Sequence, residues 1–280
     1  MTGLRTTLLA TAAGVVLAGG LATVAQAGVS TGTINGITFP VGIVPGGNQL
    51  DIGSVYENAI YGTGQELMGM GLVTQIYPTG SSTATWSTGT NGVELAYVFS
   101  GYTSSTFTAP TSSTPGSVTF TGGTAGFYTL PSTYDIQSQS TLTADLNYIM
   151  TNGTLWLSAN GAVSNTGNVT LSATTTAGGT GACTLFVLCG SGGGYYDVTG
   201  GPAGASFATR TFTNPYDVPS GYSDIFFSSS FSQASSGAVI GASGSVNIAA
   251  NAIPEPMSLS LLVVGLVGLV SARRRAFLNS

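Results

Sequence analysis

The 280-residue chain contains no histidine and no lysine, and its five basic residues are all arginines, set against ten acidic side chains. Without imidazole or amine, the bases that activate serine, cysteine or threonine nucleophiles are missing, which removes hydrolase triads and most acid–base pairs. Two carboxylates would still suffice for glycoside hydrolysis, but no pair of them stands out. The chain therefore reads as non-enzymatic and without a cofactor. Two cysteines and no histidine also leave too few thiolate or imidazole ligands for a metal site. Between Gly28 and Asn251 the only basic residue is Arg210, against nine acids. Such a surface has nothing to neutralise phosphates with, so nucleic acid is excluded as a partner. Charge this sparse makes ion pairs a minor source of stability and leaves solubility to hydroxyls and amides.

What is present is concentrated first at the two ends. Residues 1–27 carry Arg5, an apolar stretch from Leu8 to Leu21, and Ala25-Gln26-Ala27 before Gly28. A short basic start, an apolar middle and an Ala-x-Ala ending predict a secretory signal peptide cut after Ala27. At the other end, Pro254-Glu255-Pro256 precedes an uncharged run, Met257 to Ala272, of 16 residues. As a helix that run spans about 24 Å, just under the ~30 Å of a bilayer core. Arg273, Arg274 and Arg275 follow and would stay on the cytoplasmic side, leaving the body exported. Proline on both sides of Glu255 holds the backbone extended and open to an enzyme's groove. The organisation expected is signal peptide 1–27, exported body 28–251, and a C-terminal segment 252–280 with one transmembrane helix over 257–272.

The body alternates apolar and hydroxyl-bearing residues, broken about every 8 to 12 residues by Gly, Asn, Ser or Pro, the rhythm of an all-β domain. Strands are expected in Leu72–Tyr77, Val93–Phe99, Ser117–Phe120, Thr154–Ala159, Asn168–Ala173, Ser206–Phe212, Asp224–Phe231 and Ser245–Ile248. Val93, Leu95, Tyr97 and Phe99 share one strand face, with Glu94 and Ala96 opposite, as in a half-buried strand. Asn35-Gly36 marks a two-residue hairpin, since both central positions need positive φ. Leu142, Leu146 and Ile149 recur at helical spacing and predict one short helix. The Gly- and Ser-rich patches Ser104–Gly116, Thr174–Gly181 and Gly190–Gly194 read as loops. These features predict an all-β fold, an antiparallel β-sandwich-like domain. Its exposed edges lack protective lysines, which permits self-association. Cys183 and Cys189 enclose five residues; in an exported chain, such a close pair is expected to form a disulfide closing a small loop.

Taken together, Ile253-Pro254-Glu255-Pro256, the apolar run and the arginine block resemble the PEP-CTERM sorting signal of Gram-negative bacteria. The resemblance implies recognition by an integral-membrane exosortase at Pro254, Glu255 and Pro256. It also implies transient inner-membrane retention through Arg273 to Arg275, then delivery to the cell surface or extracellular matrix. The tail Ala276 to Ser280 departs from the pattern by continuing past the arginines, where many members stop. The order of "NGVELAYVFSGYTSSTF", "VTFTGGTAGFYTL", "TLTADLNYIMTNGTLWL" and "SDIFFSSSF" is similar to that of flocculation-associated PEP-CTERM proteins. By that likeness the expected role is a non-enzymatic surface or matrix protein promoting flocculation, aggregation or biofilm structure. The alternative is a carbohydrate-binding module on exopolysaccharide, with Trp86, Trp156 and Tyr195-Tyr196 stacking on sugars and Asp217 or Asp224 accepting hydroxyl hydrogen bonds. In that loop, the two aspartates lack the spacing of a calcium hand.

Overall fold

A computed structural model describes residues 30–135, 139, 141–176, 189–217, 219–232 and 242–254. The expected signal peptide with Ala25 and Ala27, Cys183, Glu255, Pro256, the 257–272 segment and Arg273 to Arg275 lie outside the described residues. In chain order the elements are β1 (Thr31–Ile34), β2 (Ile37–Pro40), β3 (Asn48–Glu57), β4 (Glu66–Tyr77), β5 (Trp86–Ser87), β6 (Val93–Thr108) and β7 (Ser117–Pro131). There follow α1 (Leu142–Asn152), β8 (Thr154–Ala162), β9 (Val169–Thr175), β10 (Cys189–Gly200), α2 (Gly204–Phe207), β11 (Phe212–Thr213), β12 (Tyr222–Ser223), β13 (Ile225–Ser232) and β14 (Ala242–Ala250). Among the described residues no helix is long and apolar enough to cross a membrane.

The all-β expectation holds, but the sandwich does not: the sheet closes into an eight-stave up-and-down barrel. Neighbours run β3-β4-β6-β7, then β8 with β9, then β10-β13-β14, every pair antiparallel. Closure comes from β14 pairing with β3, from Ala242 opposite Glu57 to Ala250 opposite Asn48. Strands β8 and β9 form one interrupted stave. The first pairs with Thr124–Thr129 of β7, the second with Ser117–Thr121, and both also pair with β10. Strand spacing along a chain is the same for two stacked sheets and for one sheet rolled shut, so local pattern leaves the choice open. Closure also removes the edges on which self-association was argued, because each stave has a neighbour on both sides.

Alternation decides which residues enter the barrel. Leu95, Tyr97 and Phe99 of β6 point into the main core with Ile52, Phe127, Trp156 and Phe227. The outward residues Ala96 and Val98 are also buried, because α1 lies over them. β6 is thus covered on both faces rather than half-buried. The helix appears where its periodicity places it, with Leu142, Leu146 and Ile149 buried against Met70 and Leu130. Thr141 caps it, its Oγ1 accepting from the Ala144 N–H at 3.2 Å, a contact typically worth about 1 kcal/mol. Elsewhere the outer wall is hydroxyl-rich, as in β13, where Ile225 and Phe227 are buried and Ser230 and Ser232 exposed. Apolar side chains inside and hydroxyls outside reverse the arrangement of a membrane barrel.

One end of the barrel is plugged. The β1–β2 hairpin turns at Asn35 and Gly36, with φ of 50° and 82°, as the Asn-Gly signal predicts. It lays Phe39 beside Trp156 and Phe207, with ring centroids 5.9 and 5.0 Å away. Trp156 is wholly buried and donates its Nε1–H to the Ile34 carbonyl at 3.1 Å. Burying each such ring contributes about 1.5–3 kcal/mol. Ser206–Phe212, expected as a strand, instead forms the turn of α2, an irregular stretch and the start of β11. Its apolar residue Phe207 is needed in the plug, and Arg210 sits at φ 46°, which no strand permits. Gly190–Gly194 is likewise not a loop but part of β10, paired with β9 and β13. A Cβ on Gly190 or Gly194 would collide with the Phe231 or Phe227 ring, so the glycines make room for inward aromatics. Ser104–Thr108 similarly belongs to β6, and Thr174 and Thr175 belong to β9.

Candidate functional site

At the end of the barrel opposite the plug, the interior is not filled. A cavity of about 110 Å³ lies between the staves, under the loops at 58–65 and 109–116. Its walls are largely apolar, with Leu67, Phe99, Phe120, Leu171, Phe227 and Val246 among them. Small residues make the space: Gly192 presents no side chain where β10 lines it, and Ala173 presents only a methyl. Eight-stranded barrels are just wide enough either to fill with side chains or to hold one small ligand, and this barrel does the first at one end and leaves room for the second at the other.

The rim is tied rather than loose. Ser104 is buried, and its Oγ donates to the Gly62 carbonyl at 2.8 Å while accepting from the Gln65 N–H at 2.9 Å. Asn58 bridges the same loop, donating to the Glu66 carbonyl and accepting from the Met68 N–H, each at 2.7 Å. Gly116 and Thr175 exchange hydrogen bonds across the rim at 2.9 and 3.0 Å. A mouth held in this way is largely pre-formed, as small-molecule sites usually are.

Among the polar side chains in this largely apolar lining, three buried tyrosines and one acid matter most. Tyr97 and Tyr196, both buried, share a hydrogen bond between their hydroxyls at 2.6 Å. Tyr102 is fully buried, and its hydroxyl lies beside that of Tyr196, interacting with it as a hydrogen-bonding neighbour short of full hydrogen-bond geometry. Burial holds all three hydroxyls above their ordinary value, so they stay protonated throughout the physiological range. The fourth group is Glu57, last residue of β3, which follows Val55 on the inward face. Its accessible surface faces the cavity, and desolvation pushes its carboxyl up to about 7. Its charge also contributes to raising Tyr97. No basic residue lines the cavity to offset it.

The residues expected to meet sugars are placed differently. Trp86, Trp156 and Tyr196 are at most 1 % exposed and serve the interior. Tyr195 points outward, but against Phe226, with ring centroids 5.3 Å apart. Asp224 is buried, and its two oxygens accept from the Val198 N–H at 2.8 Å and the Arg210 N–H at 2.6 Å. Asp217 pairs with Arg210 at 3.4 Å and accepts from Ser220. Asp224 thus clamps the turn to β10, while Asp217 ties the turn to itself. Cys189 opens β10, and its expected partner Cys183 lies outside the described residues. Of the sorting motif, Pro254 is described and exposed. Alternation in the sequence marks Tyr97 only as one face of a strand, and it does not mark Glu57 or Tyr102. The signal for Glu57 was an acid in register with Leu50, Ile52 and Val55, readable only once β3 is recognised as a strand.

Comparison with protein-family models, with curated proteins and with solved structures gives no match for this chain.

Proposed function

We propose that the chain is an exported, non-enzymatic protein, sorted by an exosortase through Pro254, Glu255 and Pro256 to the surface or extracellular matrix of a Gram-negative bacterium. There it promotes flocculation, aggregation or biofilm structure. The observation that carries the reading is the way the fold ends where the motif begins. The last ties among the described residues are the Gly42–Ala252 bridge and the Ile253 N–H donating to the Ser206 carbonyl at 2.9 Å. Pro254 is then exposed. A cut after Pro254 leaves every described tie to the barrel in place, and the extended backbone that proline enforces suits an enzyme's groove. Three residues, Pro254 to Pro256, separate the barrel from the apolar segment that starts at Met257.

The closed barrel bears on how such a protein would act. Edge pairing between copies is not available to the staves, so cohesion has to come from the hydroxyl-rich outer wall or from a bound partner. A sugar platform built on the two tryptophans is not retained, since both are buried. Intact mass and terminal peptides of the protein recovered from surface, medium and inner-membrane fractions test the proposal. A form beginning at Gly28 and ending near Pro254 is expected outside the inner membrane. Replacing Pro254, Glu255 and Pro256 together with alanine should trap the chain through Ser280 in that membrane and weaken floc cohesion. Wild-type protein that keeps its C-terminal peptide through Ser280 overturns the sorting role, and unchanged cohesion after deleting the whole protein overturns the matrix role.

A further inference from the structure

We infer that the barrel cavity is a binding site for a small hydrophobic amine in its ammonium form, held by the Glu57 carboxylate in a space lined by aromatic side chains. The class of ligand follows from what the walls offer and what they lack. Among the described residues the only carboxyl in the lining is Glu57, and no arginine or lysine is there to receive an anion. A fatty-acid carboxylate would therefore be desolvated opposite a like charge, which disfavours it. An ammonium finds an acceptor in Glu57. The rings of Tyr97, Phe99, Phe120 and Phe227 line the same space, and aromatic rings attract a desolvated cation.

Size and access agree. A dry cavity of ~150 Å³ takes one benzene, so about 110 Å³ encloses a slightly smaller group, with a longer tail emerging through the mouth. Both described ends of the chain, Ser30 with β1 and Ala250 to Pro254, leave from the plugged end, since β14 finishes opposite Asn48 while β3 reaches Glu57 at the cavity. The mouth thus lies at the opposite end of the barrel from the last described residue, Pro254. The desolvated acid is a cost to the empty barrel, and an ammonium beside it removes that cost.

The titratable groups lining the cavity are Glu57, Tyr61, Tyr97, Tyr102 and Tyr196. Burial keeps Tyr97, Tyr102 and Tyr196 neutral, so ionisation of Glu57, with its carboxyl at about 7, sets the response to pH. Binding of a permanently protonated amine should tighten about 10-fold between pH 6 and pH 8 as the carboxylate forms. Isothermal titration of the full chain with benzylamine, benzyl alcohol and phenylacetate tests this directly. Benzylamine is expected to bind with that pH dependence, the alcohol more weakly and without it, and phenylacetate not at all. Glu57→Gln should weaken benzylamine roughly 10- to 100-fold at pH 8 and abolish the pH dependence. Phenylacetate binding as well as benzylamine, or a wild-type benzylamine affinity that is flat from pH 6 to 8, overturns the inference without recourse to any variant. So does the absence of benzylamine binding at millimolar concentration.

Discussion

Replacing Glu57 with glutamine should make the protein more stable at alkaline pH and change it little in acid. The carboxyl is raised from its ordinary 4.5 to about 7 because burial disfavours the charged form. An acid whose folded value exceeds its unfolded one holds a proton more firmly in the folded chain, so its contribution to stability is full below about pH 4.5. That contribution is lost as pH rises towards about 7 and is gone above it. At ~1.4 kcal/mol per unit the difference is about 3 kcal/mol, and screening through the open mouth trims it to roughly 2–3 kcal/mol. For a body of this size that corresponds to a shift in Tm of roughly 4–12 °C. Urea titrations followed by the fluorescence of the buried Trp86 and Trp156 would give the unfolding free energy of wild type and Glu57→Gln at half-unit steps from pH 5 to 8.5. The wild type should fall with rising pH more steeply than the variant, and the curves should separate to ~2–3 kcal/mol by pH 8. Glu94, Asp145 and Asp197, also raised mainly by burial, leave a residual slope of the same sign in both proteins. Parallel curves across the whole range would refute the placement of Glu57 in a desolvated wall.

Two further outcomes probe the plug and the clamp. Trp156→Ala should cost about 3–5 kcal/mol, read as a lower urea midpoint, since it removes a fully buried ring that Phe39, Phe127 and Phe207 contact. Asp224→Asn should cost about 1–3 kcal/mol, because its amide turns one of the two accepting side-chain oxygens into a donor facing a backbone N–H, and hydrogen exchange should speed at the Val198 and Arg210 amides.

Much of the secondary structure was open to a local reading, and the exceptions share a cause. The Asn35-Gly36 turn, α1 and most strand cores follow from φ preference or from periodicity, properties of a few adjacent residues. β3 was missed because its alternation shifts at a bulge around Gly53. The β10 glycines read as a loop because glycine has no strand preference of its own; here it is required by the Thr170 and Thr174 carbonyls of β9 together with the Phe227 and Phe231 rings of β13, all on other strands. Ser206–Phe212 read as a strand because its alternation is genuine, yet the plug uses Phe207 from a helical turn.

By itself the sequence determined the composition of the body between Gly28 and Asn251, with Arg210 as its one basic residue, the β rhythm, and the tripartite C-terminal pattern, since each is a property of residue type or short-range order. Only the tertiary structure decided that the sheet closes, because β14 meets β3 some two hundred residues away, and that Glu57 joins Tyr97, Tyr102 and Tyr196 around one cavity. Those four side chains come from three staves. Their protonation and hydrogen bonding are set by the dielectric and geometry that closure creates, and no window of the chain contains either.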